Sequence, residues 1–143
     1  MSPMNHNTNT KKLNNQGFSL VELIIVVAIM AVLVGVLAPQ YLKYVEQSRE
    51  SSDLDNYETM IGAVEIYAAS HPEFTGGSIT CAKNAATSAA DGCATALTDA
   101  GITATNVKMV STKYGTCTVS VALVDGIPVF SFTNADVKTA LGR

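Results

Sequence analysis

The 143-residue sequence predicts an α+β fold: a long N-terminal α-helix, membrane-spanning in its first half, packed on a small antiparallel β-sheet head. Three observations carry that expectation. An apolar segment from Phe18 to Ala38, with one charged residue in it, has the length a helix needs to cross a bilayer. Further on, Leu54, Tyr57, Ile61, Val64 and Ala68 recur at alternating three- and four-residue steps and so share one helical stripe. Near the C-terminus, Cys117, Val119, Val121 and Leu123 alternate onto one strand face, and Asp125-Gly126 follows as a strong hairpin signal.

Taken in order, residues 1–17 are polar and Asn/Thr-rich, with Lys11 and Lys12 just before the apolar run; they read as a leader rather than a folded element. The lysines place that end in the cytoplasm and the rest of the chain outside. A secretory signal peptide would have a shorter apolar region ending in a small-x-small cleavage site. Here the run ends in "LAPQY" and a helical pattern continues, so the segment is expected to be retained. Helix-prone sequence reaches Ser70, where "SHPEFTGG" stops it. A single helix over residues 18–70 would be about 80 Å long at 1.5 Å per residue. Such a helix outruns a small head, and its first half must be buried in lipid or in partners.

Pro39 donates no hydrogen bond, and its ring crowds the carbonyl of Gly35, itself a poor helix former. A kink or melted stretch is expected between the two. Glu46, Arg49, Glu50 and Asp53 read as a solvated face with pairs such as Arg49–Asp53. In the distal half, "DGCATALTDAG" reads as a short helix capped by Asp91 and closed by Gly101. "VKMVST", "TCTVSVALV" and "IPVFSFT" read as a three-stranded antiparallel meander, and "NADVKTALGR" as a helical turn.

Composition narrows the function. A net charge of −3, with no polybasic patch, argues against nucleic-acid binding. No nucleophile elbow, phosphate-binding loop, histidine set or metal cluster is present in the sequence, so no enzyme, cofactor or metal is expected. Asp53 and Asp55 lack the turn glycine of a calcium loop. Tyr41, Tyr44, Tyr57 and Tyr67 read as packing residues, and His71 as a surface-loop residue. Export would place Cys81, Cys93 and Cys117 in an oxidising compartment, where one pair can bridge and one thiol is left over. Cys81–Cys93 is favoured as the pair closest in sequence; Cys81–Cys117 and Cys93–Cys117 stay open.

Glu22 is the one ionisable residue inside the apolar run, and an intramembrane carboxylate is a functional candidate by default. It lies within "GFSLVELI", Gly17 to Ile24, which closely resembles the prepilin signature of type IV pilins and pseudopilins. The resemblance extends from Lys11 to about residue 50 and takes in Pro39. It implies cleavage by prepilin peptidase between Gly17 and Phe18, N-methylation of Phe18, and an assembly role for Glu22. It also implies melting near Gly35–Pro39 during assembly. A second helix proline, found in many pilins, is missing, and the leader is longer than the commonest ones.

The implied organisation is a cleaved leader (1–17), a membrane or filament-core segment (18–38) and a head (39–143). The implied function is that of a type IV pilus subunit, with a pseudopilin of a secretion or DNA-uptake apparatus as the alternative. The implied partners are further copies in a helical filament, prepilin peptidase, an assembly platform with its ATPase, and minor pilins. Such a chain would sit in the cytoplasmic membrane before assembly and in an extracellular pilus afterwards. A non-polymerising anchored binding domain is a third reading, which predicts no cleavage at Gly17.

Overall fold

A computed structural model describes residue 1, residues 17–103 and residues 106–143; Lys11 and Lys12 lie outside the described residues. The elements are α1 (Leu20–Ser70), β1 (Gly77–Cys81), β2 (Ser88–Asp91), α2 (Gly92–Asp99), β3 (Cys117–Val124), β4 (Ile127–Phe132) and α3 (Ala135–Ala140). The chain forms two units, Met1–Pro39 and Gln40–Arg143.

In the first unit, every large apolar side chain from Leu20 to Leu37 is more than half exposed. By length and composition this helix can cross a membrane. Helix is continuous through Gly35 and Pro39, so the melted stretch expected there is absent from the isolated chain. One missing N–H and one glycine weaken a helix locally, but the intact turns on either side hold it.

The second unit is built on the remainder of α1. Tyr57, Met60, Ile61, Val64 and Ala68 are buried, whereas Leu54 only borders the core. The helix ends at Ser70, and Gly76 follows at a φ of 95°, where a Cβ would stand 2.3 Å from the Val121 carbonyl oxygen. Glycine alone fits that left-handed position and that approach.

All strand pairs are antiparallel, and the sheet has four strands in the order β2-β1-β3-β4 rather than the expected three. Ile79, Cys81, Cys117, Val119 and Val121 turn inward and join Tyr57, Met60 and Val64 in one core cluster. The β3–β4 hairpin forms at Asp125-Gly126 as expected, with Val124 opposite Ile127. β4 lies at the edge of the sheet and contains Pro128.

Residues 107–112, expected as a strand, make only isolated bridges, Lys83 to Met109 and Ala86 to Lys108. The physical reason is competition for donors. The amides of Val110 and Ser111 are taken by Asp53, and that of Thr112 by Glu46, so no strand can claim them. α2 closes at Gly101 with φ 73°, as expected. Asp91 precedes it at φ 55° without a side-chain cap bond, so the expected cap is not made. At the C-terminus, Asn134 caps α3 by accepting from the amides of Asp136 and Val137.

Candidate processing and assembly segment

Residues 17–19 are exposed and non-helical, immediately before α1 begins at Leu20. The Gly17–Phe18 bond therefore lies in accessible, non-helical chain, the form a peptidase can bind. Phe18 is 86% exposed. A free amine made at Phe18 would be about one helical turn from Glu22.

Glu22 is not idle in the isolated chain. Its Oε2 accepts the backbone N–H of Ser19 at 2.9 Å, while the Ser19 carbonyl accepts from Leu23 at 3.2 Å. Ser19-Leu20-Val21-Glu22 is the S-x-x-E spacing in which a glutamate reaches back to the residue before the helix. Its charge also sits at the favourable end of the helix dipole. This capping contact was legible in the sequence from that spacing. The carboxylate therefore has an intramolecular partner in the Ser19 amide.

Along the segment, Ala28, Ala31, Gly35 and Ala38 fall at three- and four-residue steps, a spacing that lets helices approach closely. Lipid is as apolar as a neighbouring helix, so exchanging one for the other gains little hydrophobic energy. Any association of such a helix with another in lipid would therefore have to draw on close packing and polar contacts.

In the head, a second set of acidic side chains fastens a loop to α1. Asp53 is fully buried, and its carboxylate accepts from the amides of Val110 (3.0 Å) and Ser111 (2.8 Å). This overturns the solvated Arg49–Asp53 pair; Arg49 reaches Glu46 instead, at 3.5 Å. One turn on, the Tyr57 hydroxyl donates to the Tyr114 carbonyl at 2.9 Å. The Thr112 amide bond to Glu46 holds that carboxyl below its ordinary range. Asp53 lies four residues before Tyr57, in phase with the apolar stripe, and that phase was the available sign of its burial.

All three cysteines are buried free thiols, and burial pushes Cys81 and Cys93 up to about 11. The structure does not bring Cys81 and Cys93 together. Cys93 abuts Gly77, at the far end of β1 from Cys81. Four strand residues separate those ends by roughly 13 Å, whereas a disulfide tolerates Cα atoms only up to about 7 Å apart. Cys117, by contrast, is the direct register partner of Cys81. His71 stacks on Tyr67 with ring centroids 3.9 Å apart. Among the described residues no group of three or more His, Cys, Asp or Glu could hold a metal.

These features define an α+β protein with an apolar N-terminal helix and an exposed bond at the helix entrance. A family profile, the prokaryotic N-terminal methylation motif, matches residues 12–38. The match supports a type IV pilin-like protein: a prepilin-like precursor of the pilin or pseudopilin kind, of the type prepilin peptidase processes. No curated protein and no solved structure matches the chain significantly.

Proposed function

We propose that this chain, cut between Gly17 and Phe18 and methylated at Phe18, is the structural subunit of a type IV pilus. In this reading, residues 18–38 hold it in the cytoplasmic membrane before assembly and form the filament core afterwards. The observation that carries the reading is the pairing of an accessible Gly17–Phe18 bond with Glu22 one turn inside an apolar helical segment whose large side chains are all more than half exposed. In the filament, a neighbour's Glu22 meets the Phe18 amine, and the contact sets the stagger between helices. The same contact explains why the carboxylate is kept despite its cost in hydrocarbon, which is several kcal/mol at the bilayer centre and less near an interface. The weak pair Gly35 and Pro39 gives way only when α1 packs among other helices. The assembly platform, its ATPase and minor pilins are the remaining partners. The chain's role is structural, not catalytic.

Two variants separate the two jobs of Glu22. Glu22→Gln keeps an acceptor for the Ser19 amide but removes the charge; Glu22→Ala removes both. Sheared filaments from cells carrying either variant should fall at least tenfold, with intact mass locating methylated Phe18 at the start of the wild-type subunit. Full filament yield from Glu22→Gln would reduce the residue to a helix cap. Recovery of processed subunit only in a short envelope-bound fibre would move the assignment to a pseudopilin.

A further inference from the structure

The cysteines carry an inference that the filament reading does not contain. Cys81 and Cys117 are Cα partners in the antiparallel β1–β3 register. Directly opposed residues in such a pair have Cα atoms about 4.5–5.5 Å apart, inside the window a disulfide accepts. Opposed residues also share a face, and this face is the core side: Cys81 is 0% and Cys117 1% exposed. Both sulfurs belong to the same buried core cluster as Tyr57. Cys93 sits at the opposite end of β1, out of reach of Cys81.

We propose that Cys81 and Cys117 are joined by a cross-strand disulfide as the head folds outside the membrane, and that Cys93 stays a thiol. The proposal rests on the reading that the head is exported. Each thiol gives up one proton, and the pair gives up two electrons as the Sγ–Sγ bond forms. The electrons reduce a disulfide of an exported thiol oxidant to its dithiol, through a mixed disulfide. Because both sulfurs are sealed in the folded core, exchange takes place before β1 and β3 close against α1. Afterwards the same burial shields the bond from reductants. It ties β1, the strand that follows α1, to β3, the first strand of the hairpin, at the end where Tyr57 anchors the loop.

The sequence permits a direct test on the full chain recovered from its own cells. The protein is denatured without reductant, its free thiols are alkylated, and trypsin is added. Cleavage at Arg49, Lys83, Lys108, Lys113 and Lys138 puts Cys81 in peptide 50–83, Cys93 in 84–108 and Cys117 in 114–138. The expected result is 50–83 linked to 114–138, two hydrogens lighter than the sum of the free peptides, with 84–108 alkylated. Any link to 84–108, or three alkylated peptides, overturns the proposal. The N-terminal peptide in the same digest then identifies the failed premise. A methylated Phe18 start leaves the filament reading standing while the pairing falls; an uncut leader removes the ground for both. In a Cys93→Ser chain the 50–83 to 114–138 link should persist at the wild-type level.

Discussion

Replacing Asp53 with alanine should be among the most damaging single changes to the head, although its position looks like an exposed helix face. The carboxylate is fully buried and accepts from two amides, Val110 and Ser111. Hydrogen bonds to a charged group contribute about 1.5–3 kcal/mol each, and leaving a buried donor unpaired costs about 1–3 kcal/mol. Ser111 is fully buried and Val110 partly so, which puts the loss for Asp53→Ala at about 3–4 kcal/mol. For a head of this size that corresponds to a midpoint lowered by roughly 15 °C. Asp53→Asn keeps one acceptor but turns an NH₂ toward a donor, so it should recover at most half of the loss.

The control is Arg49→Ala, whose exposed contact with Glu46 should be worth less than about 0.5 kcal/mol. A double-mutant cycle between positions 49 and 53 should give no coupling. The assay is urea unfolding of the mature chain in detergent, followed by tyrosine emission, with hydrogen exchange read at residues 110–112. A loss under 1 kcal/mol for Asp53→Ala, or a clear 49–53 coupling, would refute the clasp and restore a surface ion pair.

Other outcomes follow from the same structure. Glu46, held below its ordinary value of 4.5 by the Thr112 amide, adds stability above that pH and loses it as pH falls through its lowered value. The stability gap between wild type and Glu46→Gln should therefore be present near neutral pH and close in acid, as read by parallel melts. Gly76→Ala forces a Cβ to 2.3 Å from the Val121 oxygen at a left-handed φ, and should cost about 2–4 kcal/mol in the same unfolding assay. Asn134→Ala removes the α3 cap and the side-chain donor to Lys113 and Thr116, and should cost about 1–2 kcal/mol; Asn134→Asp should restore the cap but not those donors.

Long periodic elements were legible from the sequence. The apolar run, the stop at Ser70, the Asp125-Gly126 hairpin and the C-terminal turn each carry several concordant signals, and each appears. β1 and β2 were not legible, because "GSITC" and "SAAD" have one large apolar side chain between them. Their pairing is dictated by neighbours rather than by their own composition. The opposite error befell "VKMVST": strand-like by content, it lost its amides to two helix carboxylates that lie far away in sequence. At the candidate site, the motif around "GFSLVELI" was legible and the family profile matches across it, while the Ser19–Glu22 contact went unread although its spacing was visible. Sequence proximity favoured Cys81–Cys93, but strand register decides which sulfurs meet, and register depends on the whole sheet.

Pro128 has a consequence for crowding. Thr133 donates its amide to Thr118, so by alternation the nitrogen of Pro128 faces away from β3, along the open rim of the sheet. Exposed Ile127 and Val129 flank it, and exposed Val124 stands opposite Ile127. Without the proline, that rim would offer a greasy ladder to any passing strand; with it, one rung is missing where the side chains are stickiest. In the filament reading proposed above, subunits held at high density on one membrane would meet one another's heads constantly. On that reading, a rim that refuses strand exchange would keep those meetings brief and leave the helices to choose the partner.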